Sequence, residues 1–286
     1  MIDPAWASRV RGSPSPLLRR QLAEAGLEPS RLQLEEVSRL PRLLPRDLDL
    51  DRLADPVGWL RLGDAAPPIR LGSCEREGAT IVLTWTAADL ARIAETGARA
   101  LAAAGVTPGM KVANPLEGGF ETPGSLVLGD ALEKLGALDV PLGPVRDEKT
   151  ARSVAELLDR IAADVLVLDG RSASGLLAAL AETPPSGWPR GWRGTLWLGL
   201  DPLPRALPGW RRRWLSVPEV SVFLAVECHR GALHLDPNVL VEIRDRHALM
   251  SSTAGDAPLF AYDAGLEARA VRSGCSCGDA RPLIEF

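Results

Sequence analysis

The chain has 286 residues, 46% of them hydrophobic, and a formal net charge of −4 with acids and bases interspersed. That size allows one large core or two smaller ones, and the charge balance excludes a non-specific nucleic-acid binder, which needs a basic surface to meet phosphates. No apolar run reaches the ~18 residues of a membrane span, and four cysteines are too few for a disulfide framework in a chain this long.

The opening MIDPAWASRVRGSPSP has no apolar run long enough for a secretion signal, so a cytoplasmic location is the expectation. The excess of Arg, Ala, Leu, Gly and Pro is that of a GC-rich bacterial gene, with Lys111, Lys134 and Lys149 the only lysines. The first 60 residues read as short helices broken by proline. One opens at Pro16 and ends near Gly26, a second covers Leu34–Leu40, and a polar, proline-edged stretch leads to strands near Ile69 and over Ile81–Thr84.

From Thr86 to Gly170 the pattern is cleaner. Thr86 with Asp89 three positions on is a capping box, and Leu90, Ile93, Ala94, Gly97 and Leu101 then share a helical face before Gly105 ends the helix. Short apolar segments at Lys111–Asn114, Ala137–Leu142 and Asp164–Asp169 alternate with helices over Gly124–Leu135 and Lys149–Ala162. Strand–helix–strand–helix–strand with short connections predicts a doubly wound βαβαβ unit in an α/β fold. A strand at Thr195–Leu198 and a helix through Leu203–Trp214 follow, and the latter makes Arg211-Arg212-Arg213, flanked by Trp210 and Trp214, a solvated helix end. After Val217 the character is β, in VSVFLAVEC, NVLVEI, PLFAY and EARAV. Two units are expected: a helical entry plus α/β part over 1–215 and a β-rich part over 216–286.

Cys228, His234, Cys275 and Cys277 form a candidate metal set. Zinc takes four N/S ligands in tetrahedral geometry, and CSC in a glycine-flanked turn can present both sulfurs to one ion. His229 competes with His234 for the fourth place; His234 is preferred, since residues 228 and 229 are adjacent and diverge. Four protein ligands would make the site closed and structural.

Taken in order, SPLLRRQLAEAGLEPSRLQLEEVSRLPRLLPRDL, WTAADLARIAETGARALAAAGVTPGMKVAN, LEKLGALDVPLG, LLDRIAADVLVLDG, GLDPLP, AVECHRGALHLDPNVLVEI, GDAPLFAYDAGL and CSCG resemble the N-terminal domain of the phenylacetate–CoA ligase group of adenylate-forming (AMP-binding) enzymes. The resemblance is colinear over nearly the whole chain, and it implies that domain's fold together with chemistry that joins a carboxylate to the α-phosphate of ATP.

The residues depart from what that chemistry asks. Where the group has a Ser/Thr/Gly-rich phosphate loop, this chain has Gly72-Ser73-Cys74-Glu75-Arg76-Glu77-Gly78. Two carboxylates there would each oppose a phosphate by about 4 kcal/mol at 4 Å and an effective dielectric of about 20, unless the segment is only a charged hairpin turn. Leu266 stands at the ribose-carboxylate position, with Asp263 nearby, and Glu219 is the nearest candidate for a metal- and phosphate-related glutamate. The group's mobile C-terminal lid with its catalytic lysine has no counterpart before Phe286 and is expected to be absent.

The resulting expectation is a degenerate, non-adenylating homologue with no catalytic residue assigned, structural zinc as cofactor and ATP unbound. It would be retained for binding a small-molecule carboxylate or a protein, as a homodimer or with a full-length ligase homologue, and without nucleic acid or membrane. The alternatives are a minimal acyl-CoA ligase or acyl transferase completed by a partner, and a structural subunit of a full-length ligase.

Overall fold

A computed structural model describes residues 3–32, 34–118, 122–170, 173–182, 188–201, 203 and 207–286. Two capped helices open the chain. Helix α1 (Pro4–Gly12) starts on Asp3, whose carboxylate accepts the Ala5 N–H; α2 (Pro16–Glu24) starts on Ser15, whose Oγ accepts the Leu18 N–H. In both, proline at the first turn is tolerated because its missing N–H has no partner to lose there. A short α3 (Leu34–Val37) follows.

Strands β1 (Arg70–Arg76) and β2 (Ala79–Trp85) form an antiparallel hairpin with Glu77-Gly78 as its turn. Both turn residues have positive φ, 50° and 78°, the geometry a two-residue hairpin turn requires. Helix α4 (Ala87–Ala104) begins on the predicted box: the Thr86 Oγ1 accepts the Asp89 N–H while Asp89 Oδ2 accepts the Thr86 N–H, and Gly105 closes the helix in the left-handed region. Gly97 lets α4 pack closely, since a Cβ there would come within 2.5 Å of Phe223 and 2.6 Å of Ala131.

The predicted crossovers follow as β3 (Lys111–Asn114), α5 (Ser125–Leu135), β4 (Leu138–Pro141), α6 (Glu148–Ile161) and β5 (Val165–Asp169), and then α7 (Ala173–Glu182) and β6 (Gly194–Leu198). The strands β4, β3, β5 and β6 lie parallel in that order. Alternate residues of this sheet serve two cores. Val112, Val165, Val167 and Leu196 face α4 and α5, while Ala113, Leu166, Leu168 and Trp197 face α6 and α7. Both faces are therefore covered, the condition for a stable parallel sheet.

The predicted helix through Leu203–Trp214 is not formed. Residues 202 and 204–206 lie outside the described set, and Trp210–Val217 is strand β7, parallel to β6. Trp214 is fully buried and stacked on Phe223 at 4.8 Å, and Arg212 lies 5.9 Å over the Trp210 ring. The Trp/Arg run is thus interior sheet, where arginine stems cover neighbouring strands.

Beyond β7 come β8 (Ser221–Glu227), β9 (Leu233–Leu235), β10 (Val239–Arg244), β11 (His247–Ser252), β12 (Tyr262–Glu267), β13 (Ala270–Arg272) and β14 (Leu283–Glu285). PLFAY joins a strand only at Tyr262, and EARAV is divided between β12 and β13. One nine-stranded sheet runs β13-β14-β9-β8-β7-β6-β5-β3-β4, continuous across position 215; β10-β11-β12 make a second sheet. The architecture is α/β with a β-rich C-terminal part, as expected. Among the described residues, no helix is long and apolar enough to cross a membrane.

Candidate metal centre and the hairpin cluster

The nine-stranded sheet brings the four predicted ligands together. His234 on β9 pairs in register with Val226 on β8 and Leu283 on β14, placing it on the sheet face from which Cys228 continues two residues beyond Val226. Cys228 opens a tight turn in which its N–H bonds to the Ala232 carbonyl and the Gly231 N–H bonds back to the Cys228 carbonyl, both at 2.9 Å. Cys275 and Cys277 sit in a second turn between Gly274 and Gly278, whose φ values of 87° and 88° let the chain reverse so that both sulfurs face β9.

The four ligand atoms all lie within 4.8 Å of one another. Cys228 Sγ is 3.8 Å from Cys275 Sγ, and Cys277 Sγ is 3.3 Å from His234 Nε2. A tetrahedral ion with Zn–S of about 2.3 Å and Zn–N of about 2.05 Å sets S···S near 3.8 Å and S···N near 3.6 Å. The donor set therefore fits zinc in type and spacing. Backbone N–H groups of Arg230 and Asp279 donate to Cys228 Sγ and Cys277 Sγ, each at 3.4 Å. The Cys277 N–H does the same for Cys275 and holds its thiol below the usual range, whereas burial raises Cys277.

His234 is fully buried, and burial lowers its pKa against the opposing pull of Asp279, so the imidazole is neutral. Its Nδ1 has no hydrogen-bond partner and lies 3.7 Å from Asp279 Oδ2. Asp279 is itself fixed by Arg281, through Nε at 2.8 Å and Nη2 at 2.6 Å. A carboxylate beside the outer nitrogen of a ligating histidine is the usual support for such a ligand. His229 is exposed and bonds through its carbonyl to Arg212, while His234 is the histidine within the cluster.

The residues aligned with nucleotide chemistry meet at the β1–β2 hairpin. Glu75 is exposed on β1, and Glu77 at the tip lies over Gly265, where a Cβ would come within 2.6 Å of its Oε1. Segment 72–78 is thus a strand and a two-residue turn. Behind it, the Glu219 side chain is completely buried. Arg76 Nε donates to its Oε1 at 2.5 Å, Arg76 Nη2 to Oε2 at 3.3 Å, and the Tyr262 hydroxyl to Oε1 at 2.8 Å. Burial, then the Glu219 charge, push the Tyr262 hydroxyl and the neighbouring Cys74 thiol far up, so both stay protonated.

Asp263 is buried and engaged within the fold. Its Oδ1 accepts the Gly265 N–H, and its other oxygen faces Arg42 and His247. Leu266 packs against the core below. The Arg76–Glu219–Tyr262 cluster is the site feature that sequence reasoning missed: its members lie 143 and 43 positions apart, with no local pattern linking them.

Comparison with known proteins agrees with the resemblance. A phenylacetate–coenzyme A ligase of Thermus thermophilus is 36% identical over 128 residues, covering 44% of this chain and 28% of that ligase. A 2-hydroxyisobutyryl-CoA ligase, solved in an open conformation with 2-HIB-AMP and CoA, superposes with a TM-score of 0.83 at 18% identity, over 97% of this chain and 70% of that one. The same ligase in a postadenylation state gives 0.84, over 99% and 66%. No family model matches the sequence. The chain thus resembles the phenylacetate–CoA ligase branch in sequence and carries the N-terminal-domain fold of adenylate-forming enzymes, while the curated alignment spans little more than a quarter of the relative's length.

Proposed function

We propose that this chain is a non-adenylating homologue of phenylacetate–CoA ligase that keeps the α/β scaffold for binding a small carboxylate or a protein, with a structural zinc in its β-rich part. One observation carries the first half. The place where the resemblance implies a phosphate-wrapping loop is a two-residue Glu77-Gly78 turn, and the glutamate behind it is neutralised by Arg76. A triphosphate needs several convergent donors; here it would meet the carboxylates of Glu75 and Glu77, and Glu219 already has its cation.

For zinc, Cys228, His234, Cys275 and Cys277 would be the ligands, with Asp279 orienting the imidazole. All four positions of a tetrahedral ion are then taken by protein, so the ion would supply cross-linking between strands and no chemistry.

Isothermal titration with Mg·ATP tests the main reading. The expected result is a Kd weaker than about 1 mM, a binding free energy smaller than about 4 kcal/mol in magnitude, with background pyrophosphate exchange for aryl and fatty acids. Micromolar ATP binding, or robust exchange with any acid, would overturn it in favour of a minimal ligase.

A further inference from the structure

We propose that Cys228 and Cys275 form an oxidative modification site, which a peroxide closes to a disulfide. The inference rests on the placement of the sulfurs. The two Sγ atoms lie 3.8 Å apart although the residues are 47 positions distant in sequence, and both cysteines are free. A disulfide needs about 2.05 Å, so the sulfurs must approach by a little under 2 Å. The 275–277 segment lies in a turn between Gly274 and Gly278, outside the ladders of the sheet, and supplies that movement, whereas Cys228 is anchored by the hydrogen bonds of its own turn.

The other pairings are worse. Cys275 and Cys277 are separated by one residue, and closing so small a ring strains the bond. Cys277 is turned toward His234 Nε2 at 3.3 Å and accepts the Asp279 N–H. Cys74 is buried on β1 beside Glu219, outside the cluster.

The order of events follows exposure. Cys228 is 1% exposed and Cys275 is partly exposed, so a small oxidant reaches Cys275 first. Its sulfur attacks one oxygen of hydrogen peroxide, the O–O bond breaks, and a sulfenic acid forms, while the departing hydroxide takes the thiol proton and leaves as water. The Cys228 sulfur then attacks the sulfenic sulfur, the S–O bond breaks, and the second hydroxide takes the Cys228 proton. Two thiols and one peroxide give one disulfide and two waters. Both sulfurs are lost as thiolate ligands, so any zinc held by the four residues leaves with this step.

The test treats protein purified without chelator with a small excess of hydrogen peroxide, blocks free thiols with a maleimide, and maps tryptic peptides without reduction. The expected main product joins peptide 214–230 to peptide 273–286, since trypsin does not cleave the Arg281–Pro282 bond, at least tenfold over any other pairing, with Cys277 carrying the maleimide by fragment-ion mapping. Cys277→Ser is expected to keep the cross-link and Cys228→Ala to lose it. A Cys275–Cys277 disulfide as the main product, a cross-link that needs Cys277, or no disulfide at all would each overturn the proposal. The fragment map of the unsubstituted protein decides among these even if a variant fails to fold. Elemental analysis of the untreated sample reads the zinc assignment separately, so the two can fail independently.

Discussion

A carboxylate with no solvent exposure must find its cation inside the protein, and Glu219 does so in Arg76, with Tyr262 completing the hydrogen bonds. Removing one member of such a pair leaves a buried charge uncompensated, at a cost of about 3–5 kcal/mol. Arg76→Ala is therefore expected to lower the urea-unfolding free energy by about that amount, and a loss below about 1 kcal/mol would show that water reaches the carboxylate. Replacing Arg76 and Glu219 together by apolar residues should recover much of the loss, since the desolvation cost disappears with the pair. The same residue-level reasoning separates the two histidines. His234 has a buried, unpartnered Nδ1 and an Nε2 aimed at Cys277, whereas the His229 ring is outside the cluster. Purified protein is expected to carry about one zinc per chain. His234→Ala and Cys277→Ser should lose it, and His229→Ala and Cys74→Ser should keep it. A preparation free of zinc and other transition metals would refute the assignment.

At the scale of elements, the four cysteine and histidine residues bring together the β8–β9 turn, β9 itself and the turn before β14. The strands β9, β13 and β14 have only three residues each, too few to hold register by their own ladders. A metal cross-link closing a loop of nearly 50 residues should therefore stabilise this end by several kcal/mol. Chelation should speed hydrogen exchange in β9, β13 and β14 and leave β3, β4 and β5 nearly unchanged; uniform loosening of both regions would contradict that division. The same contrast explains what the sequence disclosed. Helix α4 was legible because its box, apolar face and terminal glycine all lie within 20 consecutive residues, and the β3–β5 crossovers because each segment shows its own period. Strand β7 was hidden because Arg211, Arg212 and Arg213 signal solvent, yet β6 and β8 flank it and only packing across the sheet reveals that. The three-residue strands are shorter than any period. The metal set stood out because cysteine and histidine are scarce in this chain and together suggest ligands; Arg76 and Glu219 carried no such rarity, and Tyr262, though the single tyrosine, stands 43 positions from the glutamate it bonds.

At the scale of the molecule, several of the large exposed apolar side chains bear on assembly. Ile69 at 68% exposed and Leu71 lie at and on the β1 hairpin, and Leu240 and Val271 lie in the β-rich part; Leu126 and Leu138, each at 53%, lie on α5 and the sheet-edge strand β4. Scattered singly, such residues need no explanation; contiguous apolar surface beyond a few hundred Å² marks an interaction site. Strand β4 sharpens the case, because among the described residues it ends the nine-stranded sheet and no strand lies beside its outer backbone groups. Edge strands left open invite another chain, and shortness with a terminal proline, here Pro141, limits how far pairing can extend. The expected outcome is thus association through side chains around the edge, with few added ladder bonds. Light scattering on the purified chain should give about twice the monomer mass of 30.6 kDa, or a discrete complex with one partner after isolation from cells. Leu138→Lys should shift a homodimer toward monomer by placing a charge in the contact while leaving the fold intact, because that side chain is already half in solvent. A 30.6 kDa species at high concentration, with nothing recovered alongside it from cells, would mean that these leucines are ordinary surface residues and that the scaffold works alone.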